Sequence, residues 1–81
     1  MQKKREITLG WAARECGFRR QGYRVYMLRN QADTDGQLIA HDYELSRILR
    51  DHPELRRCRV AKQEDYYGIT IFRVRRPECN G

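Results

Sequence analysis

The sequence predicts an α+β fold: a four-stranded antiparallel sheet in the order ββαββ, with its one helix packed on one face. Three observations lead there. Apolar residues alternate with period two on both sides of a single segment where they recur at helical spacing. That segment starts near an acidic capping residue and stops at a proline. A chain of 81 residues has room for one domain with a thin core.

The first strand is expected over 7–13, where Ile7, Leu9, Trp11 and Ala13 alternate with Thr8, Gly10 and Ala12. A turn over Cys16–Gly22 is marked by Gly17 and Gly22. Tyr23–Leu28, rich in aromatic and branched residues, is the second strand. Tyr23, Val25 and Met27 share one of its faces; Arg24, Tyr26 and Leu28 share the other. Asn30–Gly36 is a polar connection closing on Asp33-Thr34-Asp35-Gly36. The helix is expected over Asp42–Asp51. Asp42 caps it, Leu45, Ile48, Leu49 and His52 form its buried stripe, and Pro53 ends it. Arg57–Lys62 is the third strand, with Cys58 and Val60 on one face and Arg57 and Arg59 on the other. Gln63-Glu64-Asp65 is the expected turn, and Tyr66–Arg75 the fourth strand. The helix stripe should pack on Ile7, Leu9, Trp11, Val25, Val60 and Ile69 or Ile71. The chain reads as a single small basic domain over 1–81, with an ordered core at 6–76 and fraying ends.

A competing pattern covers Leu9 to Leu28. Ala13, Gly17 and Phe18, with Tyr23 and Tyr26 at packing positions of a second helix, resemble the helix-turn-helix of small bacterial repressors. That resemblance implies two helices and duplex DNA binding. Gly22 inside the second helix would cost about 1 kcal/mol, which favours strands.

Charge points to a binding function. The chain has 17 basic and 11 acidic residues, for a net charge of +6. Three of the 17 are lysine (Lys3, Lys4 and Lys62), which leaves 14 arginines. Arginine presents a planar fork of donors that matches phosphate or carboxylate and stacks on rings. A GC-rich genome would also favour its codons. The charge is spread along the chain in short runs, so folding must gather it. Expected partners are nucleic acid, single strands or RNA more than duplex, or an acidic protein surface.

Other chemistry finds little support. Cys16, Cys58 and Cys79 are an odd set with no close pair, as suits reduced thiols in a cytoplasm. No stretch has the length of a membrane span, and 7–13 is too short and polar for a signal-peptide core. His41, His52 and the cysteines lack metal-ligand spacing, so no metal or cofactor is expected. Asp33-Thr34-Asp35-Gly36 echoes a calcium loop, but Gln31 stands at its opening position and Asp42 at its closing one. A turn explains the same residues. Cys16 lies near Arg14 and Arg19, and Ser46 is the only serine; neither has a base at hand, so the protein is expected not to be an enzyme.

One helix covers one face of such a sheet and leaves the other open. That face should carry Arg24, Tyr26, Arg57 and Arg59, joined by Phe72, with arginines for phosphate and rings for bases. The signature of an RNA-recognition motif is absent, because Tyr67-Gly68-Ile69-Thr70-Ile71 lacks its aromatics. The expected function is a nucleic-acid-binding accessory or regulatory protein, of the size that phages and mobile elements encode. The alternative is an inhibitor or adaptor using the same face against an acidic protein. A Tyr66–Arg75 strand at the sheet edge would let two copies pair.

Overall fold

The structure, a computed structural model, describes residues 7–15 and 21–77. Cys16, Cys79, residues 16–20 of the turn expected over Cys16–Gly22 and both chain ends lie outside the described residues. Helix α1 (Leu9–Glu15) replaces the expected first strand. The Thr8 hydroxyl accepts the Trp11 N–H at 3.1 Å, an N-cap interaction that starts a helix. Leu9 and Ala12 are thereby buried one turn apart, while Ile7 and Trp11 stay exposed. Strand β1 (Gly22–Met27) follows, so the region is not helix-turn-helix.

Strand β2 (Gln37–Asp42) has no counterpart in the expected order. Asp42 ends this strand and does not cap the next helix directly. Its carboxylate accepts the Glu44 N–H at 3.1 Å and lies 3.7 Å from Arg47, steering the chain into helix α2 (Leu45–Asp51). Pro53 ends α2 as expected and opens a 3-10 helix over Pro53–Arg57, which occupies the start of the expected third strand. Strands β3 (Arg59–Tyr66) and β4 (Ile69–Arg75) complete the chain. Gln63, Glu64 and Asp65 lie within β3. The reversal falls at Tyr67-Gly68, whose φ values of 52° and 86° are those of a two-residue hairpin turn.

The sheet runs β2-β1-β4-β3 and is mixed, where an antiparallel one was expected. β1–β2 and β3–β4 are antiparallel hairpins. The segment from α2 through the 3-10 helix carries the chain from edge strand β2 to edge strand β3. That crossover leaves the inner strands β1 and β4 parallel, Val25 beside Phe72. No described helix is long and apolar enough to cross a membrane.

The helices cover one face of this sheet. Leu45, Ile48 and Leu49 are buried, as their spacing predicts, against Leu9, Val25, Leu55, Cys58, Phe72 and Val74. Val60 is partly buried there, whereas Ile69 and Ile71 lie on the other face. Phe72 is fully buried and does not join the open face. Thr70, buried beside it, donates its hydroxyl proton to Asp65 Oδ1 at 2.9 Å. Replacing Leu49, 1 % exposed, with Ala is expected to cost about 2–5 kcal/mol, read from urea unfolding.

Candidate binding face

The face turned away from the helices is ordered in rows by the strand register. Running from β3 to β2, one row reads Lys62, Arg73, Tyr26, Leu38, and the next reads Glu64, Ile71, Arg24, His41. Arg59 and Arg75 are paired beyond the first row, and Tyr66 and Ile69 beyond the second. The strands therefore bring Arg24, Arg59, Lys62, Arg73 and Arg75 onto one surface against a single strand carboxylate, Glu64.

Arg24, Tyr26 and Arg59 occupy the face expected of them. Arg57 does not: it lies in the 3-10 helix on the opposite side of the sheet. Phe72 is in the core for a reason the register makes plain. Arg73 and Arg75 must reach water, and period two then turns Phe72 and Val74 inward. The same alternation would have found Arg73 and Arg75 from the sequence.

Arg73 is held on three sides. Its guanidinium lies 5.1 Å from the Tyr26 ring centroid, its Nε donates to the Asp35 carbonyl at 3.0 Å, and its Nη1 pairs with Glu64. Lys62 Nζ also lies 3.4 Å from Glu64. The hydrogen bond from Arg73, then that from Lys62, holds the Glu64 carboxyl below its usual pKa. Arg24, by contrast, is exposed and makes no ion pair among the described residues. One face of the Tyr26 ring is thus already taken by a cation.

The loop between β1 and β2 folds over this end. Asp33 accepts backbone N–H groups from Arg29, Asp35 and Gly36, so its carboxylate points inward as a turn brace. Gly36, at φ +76°, comes so close that a Cβ would sit 2.9 Å from the Met27 carbonyl oxygen. The Arg29 and Gly36 N–H bonds lower the Asp33 pKa from 3.8 to about 2. The sign follows directly. This carboxylate binds its proton more weakly when folded, so its support of the loop is complete above 3.8 and is lost as pH falls through about 2. A carbon-detected NMR titration should give an Asp33 midpoint near 2; an ordinary midpoint would refute the brace.

The far end is aromatic, which the sequence reading missed. Tyr43, Tyr66 and Tyr67 are 77 %, 61 % and 82 % exposed, and the last two rings meet edge to face at 4.5 Å. Tyr67 holds a positive φ where Asn, Asp or Gly is the common choice. Tyr67→Asn is expected to raise unfolding free energy by about 1 kcal/mol, measured in urea. A fall would show that the exposed ring stabilises the hairpin.

Between Arg24 and Tyr43 lies a cleft of about 300 Å³, lined by Gln21, Gly22, Tyr23, Arg24, His41, Asp42, Tyr43 and Ile69. A larger one of about 780 Å³ lies on the helix side around Met27, Ile39, Leu55 and Cys58. Among the described residues, no three His, Cys, Asp or Glu side chains come together to hold a metal ion.

The molecule is thus defined by class as a small α+β domain with a four-stranded mixed sheet, one face of which the described helices leave uncovered. Comparison with known proteins adds no relative: no family model, no curated protein and no solved structure gives a significant match.

Proposed function

We propose that the sheet face turned away from the helices binds single-stranded nucleic acid, RNA or DNA, by neutralising phosphates and stacking bases. The observation that carries this is the gathering of Arg24, Arg59, Lys62, Arg73 and Arg75 around one strand carboxylate on the sheet face that the described helices leave uncovered. Arg24, Arg59 and Lys62 follow the phosphates. Arg73, held by Tyr26, Asp35 and Glu64, stiffens the centre. Tyr43 and Tyr66 take the stacking role that the sequence reading gave to Tyr26 and Phe72. Exposed rings favour an unstacked strand over a duplex, whose bases are hidden. The role is binding without catalysis, as an accessory or regulatory protein of a phage or mobile element working in the cytoplasm.

Fluorescence anisotropy with labelled single-stranded RNA, single-stranded DNA and duplex, each over a range of salt, tests this. The single strands should bind more tightly than the duplex. Log affinity should fall linearly with log salt, by about 0.7 for each phosphate contacted. Absence of binding at low salt would overturn the reading and favour an inhibitor or adaptor for an acidic protein. Exposed tyrosines and arginines also suit that role.

A further inference from the structure

The cavity on the helix side exists because the helices are short. Helices α1 and α2 have seven residues each, about 10 Å at the usual rise, while strands of six to eight residues run about 20–26 Å. Met27 and Ile39 pack against the core at one end of that face but are only partly buried. They line a cavity of about 780 Å³, within the size range of small-molecule sites. Leu55 and Cys58, both almost fully buried, close its floor.

The rim of this cavity is cationic. Arg59 pairs with Arg75, so Cys58 and Arg76, the next residues beyond that pair, fall at the same end of the sheet. Arg57 and Arg76 both line the cavity and both are exposed. Neither makes an ion pair among the described residues. Glu54 is the one carboxylate among the described lining residues, and it lies 3.7 Å from His52, also at the rim. With His52 neutral, two arginines against one glutamate leave the rim with a single net positive charge.

An apolar floor beneath such a rim suits an apolar body that carries one negative charge. We propose that this cavity binds a small amphipathic carboxylate. Its body lies over Met27, Ile39 and Leu55, and its carboxylate accepts from the guanidinium groups of Arg57 and Arg76, whose planar forks match it. A nucleic-acid strand, with many charges and no long apolar body, is the wrong shape for this site. The proposal therefore stands apart from the nucleic-acid reading, and either can fail without the other.

Methyl NMR titration with octanoate, and with octanol as its uncharged match, tests this by giving both place and affinity. The Met27 and Ile39 methyl signals should shift, while those of Leu38 and Ile71, on the open face, stay put. Octanoate should bind about tenfold more tightly than octanol, the scale of two exposed charge contacts. Changing Arg57 and Arg76 together to Gln should erase that preference and leave octanol binding as it was, with circular dichroism matching the parent. Octanoate that binds no better than octanol would overturn the proposal. So would a preference that survives the double variant, or shifts at Leu38 and Ile71 in place of Met27 and Ile39. Absence of any shift up to the solubility limit of the probes would overturn it as well.

Discussion

Phe72→Ala is expected to bring the chain to the edge of unfolding at room temperature. Phe72 is fully buried on inner strand β4, beside Val25 of β1 and beneath the helices. Truncating such a phenylalanine costs about 3–5 kcal/mol, through lost transfer energy and a residual cavity. Small domains have total stabilities toward the low end of about 5–15 kcal/mol, so one such loss consumes most of the margin. Far-ultraviolet circular dichroism and urea titration provide the measurement. Phe72→Leu, which keeps most of the volume, should stay folded with a lowered midpoint. A folded Phe72→Ala variant losing under about 1 kcal/mol would show that residue 72 lies on the open face after all.

A variant with Arg24, Arg59 and Lys62 all changed to Gln is expected to lose most of its affinity for single strands. The three residues keep their polarity and the sheet keeps its core, so the change acts through charge. On a single strand the slope of log affinity against log salt should shrink by about 2, near 0.7 per lost phosphate contact. Arg57→Gln is the matched control. It removes the same charge from the 3-10 helix on the far side and should leave the slope within about 0.2 of the parent. If the triple variant, still folded, binds with an unchanged slope, the open face is not the interface. If Arg57→Gln has the larger effect, the helix side is.

How much of this was legible in sequence depends on which forces write locally. The α2 stripe of Leu45, Ile48 and Leu49 was readable because helical spacing and Pro53 agree. Strand β1 and the strand character of residues 69–75 were readable from branched and aromatic residues in alternation. Residues 7–13 carried two periods at once: Ile7, Leu9, Trp11 and Ala13 fit a strand, while Leu9, Ala12 and Ala13 fit a helix. The Thr8 cap decides between them in favour of the helix. Strand β2 was hidden because an edge strand exposes Leu38 and His41, and Asp42 looked like a helix start. The β3–β4 turn was misplaced for a related reason. The last residues of β3 are wet on both faces, so Gln63-Glu64-Asp65 looked like a loop, whereas Tyr67 is an unusual turn residue. The parallel pairing of β1 with β4 has no local signature at all.

For the candidate site, Arg24, Tyr26 and Arg59 were found by alternation. Arg57 was lost when the third strand began two residues later than expected. Arg73 and Arg75 could have been found by the same rule applied outward from Phe72, whereas Lys62 could not, because a bulge between Val60 and Lys62 breaks the alternation of β3. Tyr43 could not, because its place depends on the unread β2. The aromatic end of the face was therefore the part least visible from sequence.

The parallel seam has a consequence for how the chain reaches its native state. The β3–β4 hairpin closes through two residues and can form within microseconds, and the β1–β2 pair closes through residues 28–36. The seam joins residues 47 positions apart throughout, Gly22 with Ile69 and Met27 with Val74. Neither hairpin alone can protect the amides along that join. The expected order of folding is therefore that the two ribbons dock late, as the α2 crossover collapses onto them. Pulse-labelled hydrogen exchange would record it as early protection between β3 and β4, and late, simultaneous protection between β1 and β4.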